Sequence, residues 1–304
     1  MKLISYKPKE IPGDFRMGLM VNGEVYDLQE SYRKAIGVGK GVPLQRSMPT
    51  DPASFYRLGK DVLNLAHQAE RYLKDTEETP ISKDLIELGT PVPAPSKIIC
   101  IGKNYAAHAE EMKGEVPDYP VLFAKFRNAL IGPADDIEKP AATNKLDYEV
   151  ELGVVIGSEA TNVQREDALQ YIAGYTIGND ISARDLQKRT PQWLQGKTLD
   201  RSTPIGPWVV TADELEDPSN LAVCTFVNGE KRQESSTSHL IFDIPQLINF
   251  ISSLITLEPG DIILTGTPDG VGVAMDPPHF LKDGDVVRLE IEQIGSMENR
   301  VREV

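Results

Sequence analysis

Glu149 and Glu151 stand two residues apart inside the apolar run LDYEVELGVVIG, and Asp180 closes a second apolar run in GYTIGNDISARDLQ. Three carboxylates with no His or Cys beside them suit a hard ion, Mg2+ or Mn2+, that keeps positions open for water and substrate. The competing reading is a solvated strand end with an Asx turn at Asp180. Against it, the Glu pair interrupts a pattern that otherwise reads as buried. His108 and Glu111 in IGKNYAAHAEEM lie three apart on a helical stretch, so they share a face and the carboxylate can orient the imidazole as a base; the same spacing also describes an ordinary surface pair. Lys197 in WLQGKTLDRSTPIGP is either a surface lysine or an ammonium placed to stabilise a developing enolate. In TGTPDGVG, following the strand-like DIIL, backbone N–H groups and Thr hydroxyls can cradle an anionic oxygen. The loop lacks the Gly-Lys-Ser/Thr ending of a phosphate loop, which argues against a nucleotide.

These residues need elements to hold them. Side chains alternate along a strand, so Glu149, Glu151, Gly153 and Val155 share one face, and Tyr148, Val150, Leu152 and Val154 the other. Both faces turn apolar within a few residues, the pattern of a strand covered on both sides. Two like charges at the mouth of such a core require a counter-charge. Further strands are expected at KIICIG, PVLFAKF, AGYTIGND, GPWVVT, AVCTFVNGEKRQ, DIILTGT and DVVRLEIEQIG, and helices at NYAAHAEEMK, REDALQYI and IPQLINFISSLI. Strands outnumber helices without alternating strictly with them, which favours a strand-rich α+β architecture over a doubly wound sheet. Residues 1–92 read as a small α/β N-terminal domain: a hairpin turned at Asn22-Gly23, then the helical DVLNLAHQAERYLKD. The proline-rich TPVPAPSK reads as a linker to a catalytic domain over residues 93–304.

A formal charge of −14 and a pI near 4.8 argue against nucleic acid and anionic membrane as partners, since both bind through Lys and Arg. No window approaches the ~18 apolar residues of a membrane span, and the apolar start is too short for a secretory signal, so a cytoplasmic protein is expected. Cys100 and Cys224 both fall in apolar strand-like runs and read as core thiols.

Taken in order, IICIGKNYAAHAEEM, LDYEVELGVVIG, GYTIGNDISARDLQ, QGKTLD, GPWVV, VNGEKRQ and LEPGDIILTGTPDGVG resemble the signatures of the fumarylacetoacetate hydrolase family, from Lys97 to about Gly295. The resemblance implies a mixed β-sandwich roll and a homodimer. It also implies Glu149, Glu151 and Asp180 as metal ligands, His108 with Glu111 as the dyad that handles water, and Lys197 as the active-site lysine. Lys125, Arg184, Gln187 and Thr267 fall on positions that line the family's substrate pocket. The implied substrates are small 2-oxo or 2,4-diketo acids, on which one site supports three outcomes. A water activated by His108 gives C–C hydrolysis; loss of CO2 from an oxaloacetate-like acid gives decarboxylation; a proton that merely moves gives enol–keto isomerisation. The alternative is a non-catalytic metal-binding regulatory or interaction protein that keeps the fold.

Overall fold

The computed structural model describes residues 1–10, 13–41 and 48–304. Two sheets dominate the described residues. The larger has eleven strands, and its path runs from Glu24–Asp27 through Arg16–Val21, Lys2–Pro8, Thr203–Thr211, Ile172–Asn179, Val150–Ile156, Ile262–Leu264 and Ile98–Gly102 to Val121–Lys125. Neighbours on this path are antiparallel except Ile262–Leu264 beside Ile98–Gly102, which makes the sheet mixed. The smaller sheet has five strands in the order Glu230–Ser236, Ala222–Val227, Val286–Ile291, Gly295–Glu303 and Ile137–Lys139.

Strand Val150–Ile156 shows why the layers form. Val150, Leu152, Val154 and Ile156 pack against Val223, Leu289 and Ile291 of the smaller sheet and against Leu247, Ile248 and Ile251 of helix Ile244–Leu254. On the opposite face Val155 joins Ala173, Ile205, Val209, Ile262 and Leu264 under helices Leu28–Gly37 and Gly59–Lys74. The strand is covered on both sides, as the alternation requires, and the architecture is the expected strand-rich α+β sandwich.

The N-terminal hairpin turns at Asn22 and Gly23, with φ of 51° and 80°, the left-handed pair that a tight two-residue turn demands. Asp27 then accepts a hydrogen bond from the Glu30 N–H and caps helix Leu28–Gly37. Residues 1–92 carry their own helices but share a sheet with the rest: Lys2 lies opposite Val210 and Leu3 opposite Val209. They share a core as well, since Leu3, Leu19, Phe55 and Ala66 belong to the cluster that holds Ile98, Val155 and Ile262. Within TPVPAPSK, Val92 is buried in that same cluster.

Some elements depart from expectation. REDALQYI forms a 3-10 helix, Arg165–Tyr171, in which Ala168 alone is buried; with no apolar stripe to dock, nothing favours a longer α-helix there. AVCTFVNGEKRQ is two strands, turned at Asn228-Gly229. Cys100 is fully buried, whereas Cys224 is only partly so, and both are free thiols. No helix among the described residues is long and apolar enough to cross a membrane.

Candidate active site

Register brings the three carboxylates together. Val150 pairs with Asn179 and Glu151 with Gly178, so the next positions outward, Glu149 and Asp180, face each other where the ladder opens. The Asp180 N–H donates to the Glu149 carbonyl at 2.9 Å, and the Glu149 N–H donates to Asn179 Oδ1 at 3.0 Å. Period-two alternation places Glu149, Glu151 and Asp180 on one face, where one oxygen from each lies within 4.8 Å of the others, all three residues buried.

The required counter-charges come from distant segments. Lys197 Nζ donates to Glu149 Oε2 at 2.7 Å and to Asp180 Oδ2 at 2.6 Å. Lys125 Nζ donates to Asp180 Oδ1 at 2.7 Å and to the Ile181 carbonyl at 3.1 Å. Arg184 Nε donates to Asp147 Oδ2 at 2.8 Å, while its Nη2 stands 2.7 Å from Glu149 Oε1 but poorly aligned for a hydrogen bond, leaving mainly a charge contact. Burial by itself would raise the Glu149 pKa, but Lys197 and Arg184 outweigh it and hold the carboxyl well below the usual range. Burial would likewise depress Lys197, and Asp180 with Glu149 reverse that and raise it.

Glu151 has no such cation. Its Oε2 accepts only the Gly266 N–H, at 2.8 Å, among the described residues, and burial followed by the charges of Asp180 and Glu149 pushes its pKa well up. An all-oxygen trio with one carboxylate left uncompensated fits a divalent cation, which would supply the missing positive charge. The pH dependence of metal-free protein follows. A raised folded-state pKa means that the folded chain keeps a proton which the unfolded chain releases above the ordinary glutamate value of ~4.3. That contribution to stability is full below this value and is lost as pH rises through the folded-state pKa. In EDTA-treated protein, the melting temperature of wild type minus that of Glu151→Gln should therefore fall as pH rises above the glutamate range; a constant difference contradicts the assignment.

His108 Nδ1 lies 2.8 Å from Glu111 Oε1, and Glu111 Oε2 accepts the Gly270 N–H at 3.0 Å, so the helix Ala106–Glu111 is tied to the glycine-rich loop. With Glu111 accepting from Nδ1–H, the tautomer assigned from this network leaves the Nε2 lone pair free. His108, Glu149, Glu151, Arg184, Gln187, Lys197 and Thr267 all line one cavity of about 70 Å³. Asp180 and Lys125 are not in its lining: Asp180 is wholly buried between two lysines, and Lys125, also buried, is one of them.

The TGTPDGVG cradle exists but holds the chain's own anions. N–H groups of Gly266, Gly270, Gly272 and Val273 donate to Glu151, Glu111 and, from the last two, Asp147. Glycine is required at 270, where φ is +97° and a Cβ would lie 2.1 Å from the Arg232 carbonyl oxygen. Sequence reasoning missed Asp147, although LDYEVE repeats an acid at every second position and the signal for it was the same alternation. It also missed Gln233, whose Nε2 donates to Thr267 Oγ1 at 2.9 Å, and Asn104, which clamps Phe242 and Thr265; lone amides in a strand and a turn carry no sequence signal.

A strand-rich α+β scaffold that gathers three buried carboxylates beside a His–Glu pair could hold a divalent metal ion next to a small-molecule cavity. Comparison with known proteins agrees. The family model for the fumarylacetoacetate (FAA) hydrolase C-terminal region matches residues 97–302. A fumarylacetoacetate hydrolase domain-containing protein 2 homolog of Dictyostelium discoideum is 42% identical over 318 residues, covering 99% of this chain and 97% of the relative. A mitochondrial oxaloacetate tautomerase of Xenopus laevis is 39% identical over 305 residues, covering 99% of this chain and 90% of its own length. Among solved structures, maleylpyruvate hydrolase from Sphingobium sp. SYK-6 with manganese(II) and pyruvate is 31% identical with a TM-score of 0.76, covering 100% of this chain and 99% of that one. The chain belongs to the fumarylacetoacetate hydrolase family and is an enzyme of that family.

Proposed function

We propose that this enzyme interconverts the enol and keto forms of a small 2-oxo acid of the oxaloacetate type. The observation that carries the reading is that His108 and Lys197 share one small cavity with Glu149 and Glu151, two members of the carboxylate trio. At ~10–15 Å³ per water-sized group, about 70 Å³ holds roughly five to seven such groups, which favours a short acid over an extended one. The oxaloacetate tautomerase among the relatives supports the same substrate class.

His108 Nε2 takes the proton from C3 of the keto form, and Glu111 steadies the imidazolium that results. Electrons from that C–H bond move to the 2-oxo oxygen. Lys197 has three N–H donors, of which Glu149 and Asp180 engage two, so the third is left for this oxygen. The His108 imidazolium gives its proton to that oxygen, which completes the enol and restores the base, and the reverse sequence gives the keto acid. The divalent ion that Glu149, Glu151 and Asp180 would hold, Mg2+ or Mn2+, supplies Lewis-acid polarisation of the 2-oxo group. Arg184, Gln187 and Thr267 orient the substrate, and Lys125 fixes Asp180.

His108→Ala should lower the rate by about 10²–10⁴-fold while leaving the fold intact, as expected for loss of a general base. Unchanged turnover with normal metal affinity contradicts the role. The reaction itself is tested by giving the Mg2+-loaded protein oxaloacetate, acetylpyruvate, fumarylacetoacetate and 2-hydroxyhepta-2,4-diene-1,7-dioate, and identifying products by NMR. Keto–enol exchange of oxaloacetate is the expected result; cleavage of a diketo acid instead makes the protein a C–C hydrolase, and CO2 with pyruvate a decarboxylase. The reading includes a homodimer in the cytoplasm. Exposed Val116, Tyr119 and Phe126 offer apolar surface to a second copy, which sedimentation at twice the chain mass would support. Cell fractionation tests the cytoplasm against the mitochondrion named for the Xenopus relative.

A further inference from the structure

The cations at the base of the cavity already have carboxylate partners. Lys197 is paired with Glu149 and Asp180, and Arg184 with Asp147 and Glu149. Lys103 differs. It lines the same cavity beside His108 and Met112 and is partly buried, yet among the described residues no carboxylate lies within ion-pairing distance of its Nζ.

Its position is fixed at the root. The Lys103 backbone has φ of 56°, a left-handed conformation that a side-chain-bearing residue keeps only when its neighbours impose it. Asn104 imposes it: Nδ2 donates to the Phe242 carbonyl at 3.0 Å and to the Thr265 carbonyl at 2.7 Å, and Oδ1 accepts the Phe242 N–H at 2.8 Å. At the other end, a Cβ on Gly114 would stand 2.9 Å from Lys103 Nζ, so the absent side chain at 114 leaves the room that the ammonium takes. A partly desolvated ammonium without an internal anion binds an incoming carboxylate more strongly than a solvated one does.

We propose that Lys103 reads a second carboxylate on the substrate, so that the cavity selects 2-oxo dicarboxylates over 2-oxo monocarboxylates. The proposal rests on the tautomerase reading for the other end of the substrate, whose 2-oxo group meets Lys197. The remaining carboxylate of a short diacid then reaches the one lining cation that no protein anion neutralises.

The test uses two non-reacting probes that differ only in the distal group, malate and 2-hydroxybutyrate. Their binding to the Mg2+-loaded protein is measured by calorimetry for wild type, Lys103→Met and Lys103→Arg. Wild type should prefer malate, and Lys103→Met should lower malate affinity by about 10–100-fold, toward the lower end of what losing a close charge pair costs because Lys103 is only partly buried, with 2-hydroxybutyrate unchanged. Lys103→Arg should retain most of the preference. A wild type without a malate preference, whether through equal binding or none, overturns the proposal, and so does a Lys103→Met variant that keeps the wild-type preference. Because this readout needs no turnover, a Lys103-dependent preference in a protein that leaves oxaloacetate unconverted sinks the tautomerase reading and not this one.

Discussion

Asp180→Ala should abolish turnover and unfold the protein at markedly lower denaturant. Asp180 is completely buried and binds both Lys125 and Lys197, so its removal leaves Lys125 buried without a carboxylate and Lys197 with Glu149 as its one remaining partner. Breaking a buried pair from one side costs about 3–5 kcal/mol, because the partner charge remains desolvated. Catalysis loses more, since the carboxylate trio drops to two members and Lys197 keeps only Glu149 to hold it; several kcal/mol of transition-state stabilisation corresponds to ~10³-fold or more in rate. Asp180→Asn separates the two effects: it keeps the shape and an acceptor for the lysines, so it should lose the activity with a smaller loss of stability. Denaturant midpoints at constant slope, read beside turnover, check this. An alanine variant with wild-type stability would mean that the lysines do not depend on Asp180.

Removing residues 1–92 should leave a chain that does not fold cooperatively. Strand Thr203–Thr211 would lose its neighbour Lys2–Pro8 and become an open edge. Val155, Ala173, Ile205, Val209, Ile262 and Leu264 would lose the helices that cover them. At ~1.5–3 kcal/mol for each large side chain re-exposed, the loss is on the order of 10 kcal/mol, as large as the whole stability of a typical domain. Residues 93–304 expressed alone should give a broad, non-cooperative melt and aggregate. A sharp two-state transition with a denaturant slope suited to its length would instead establish the catalytic part as a self-sufficient domain.

That prediction marks where sequence and structure part. Alternation in LDYEVELGVVIG was enough to expect a doubly covered strand, and Glu149 and Glu151 with their need for counter-charge followed from it. The identity of the counter-charges was less legible, because Lys125 and Lys197 reach the trio from segments remote in sequence, and remote pairing leaves no local pattern. The same limit applied to TGTPDGVG: its glycines announced an anion cradle, but which anions it holds depends on tertiary packing against Glu111, Asp147 and Glu151. TPVPAPSK read as a linker because its prolines suppress helix and inner strand. Composition does not reveal that Val92 is buried in a core shared by both halves of the chain.

The most direct test of the central claim follows the decay of enol-oxaloacetate in the presence of the Mg2+-loaded protein, with pyruvate quantified in the same sample. Enol should convert to keto acid faster than in buffer with Mg2+ alone, EDTA should remove the acceleration, and pyruvate should not accumulate in step. Enol decay at the buffer rate, or decay matched mole for mole by pyruvate, would contradict that claim.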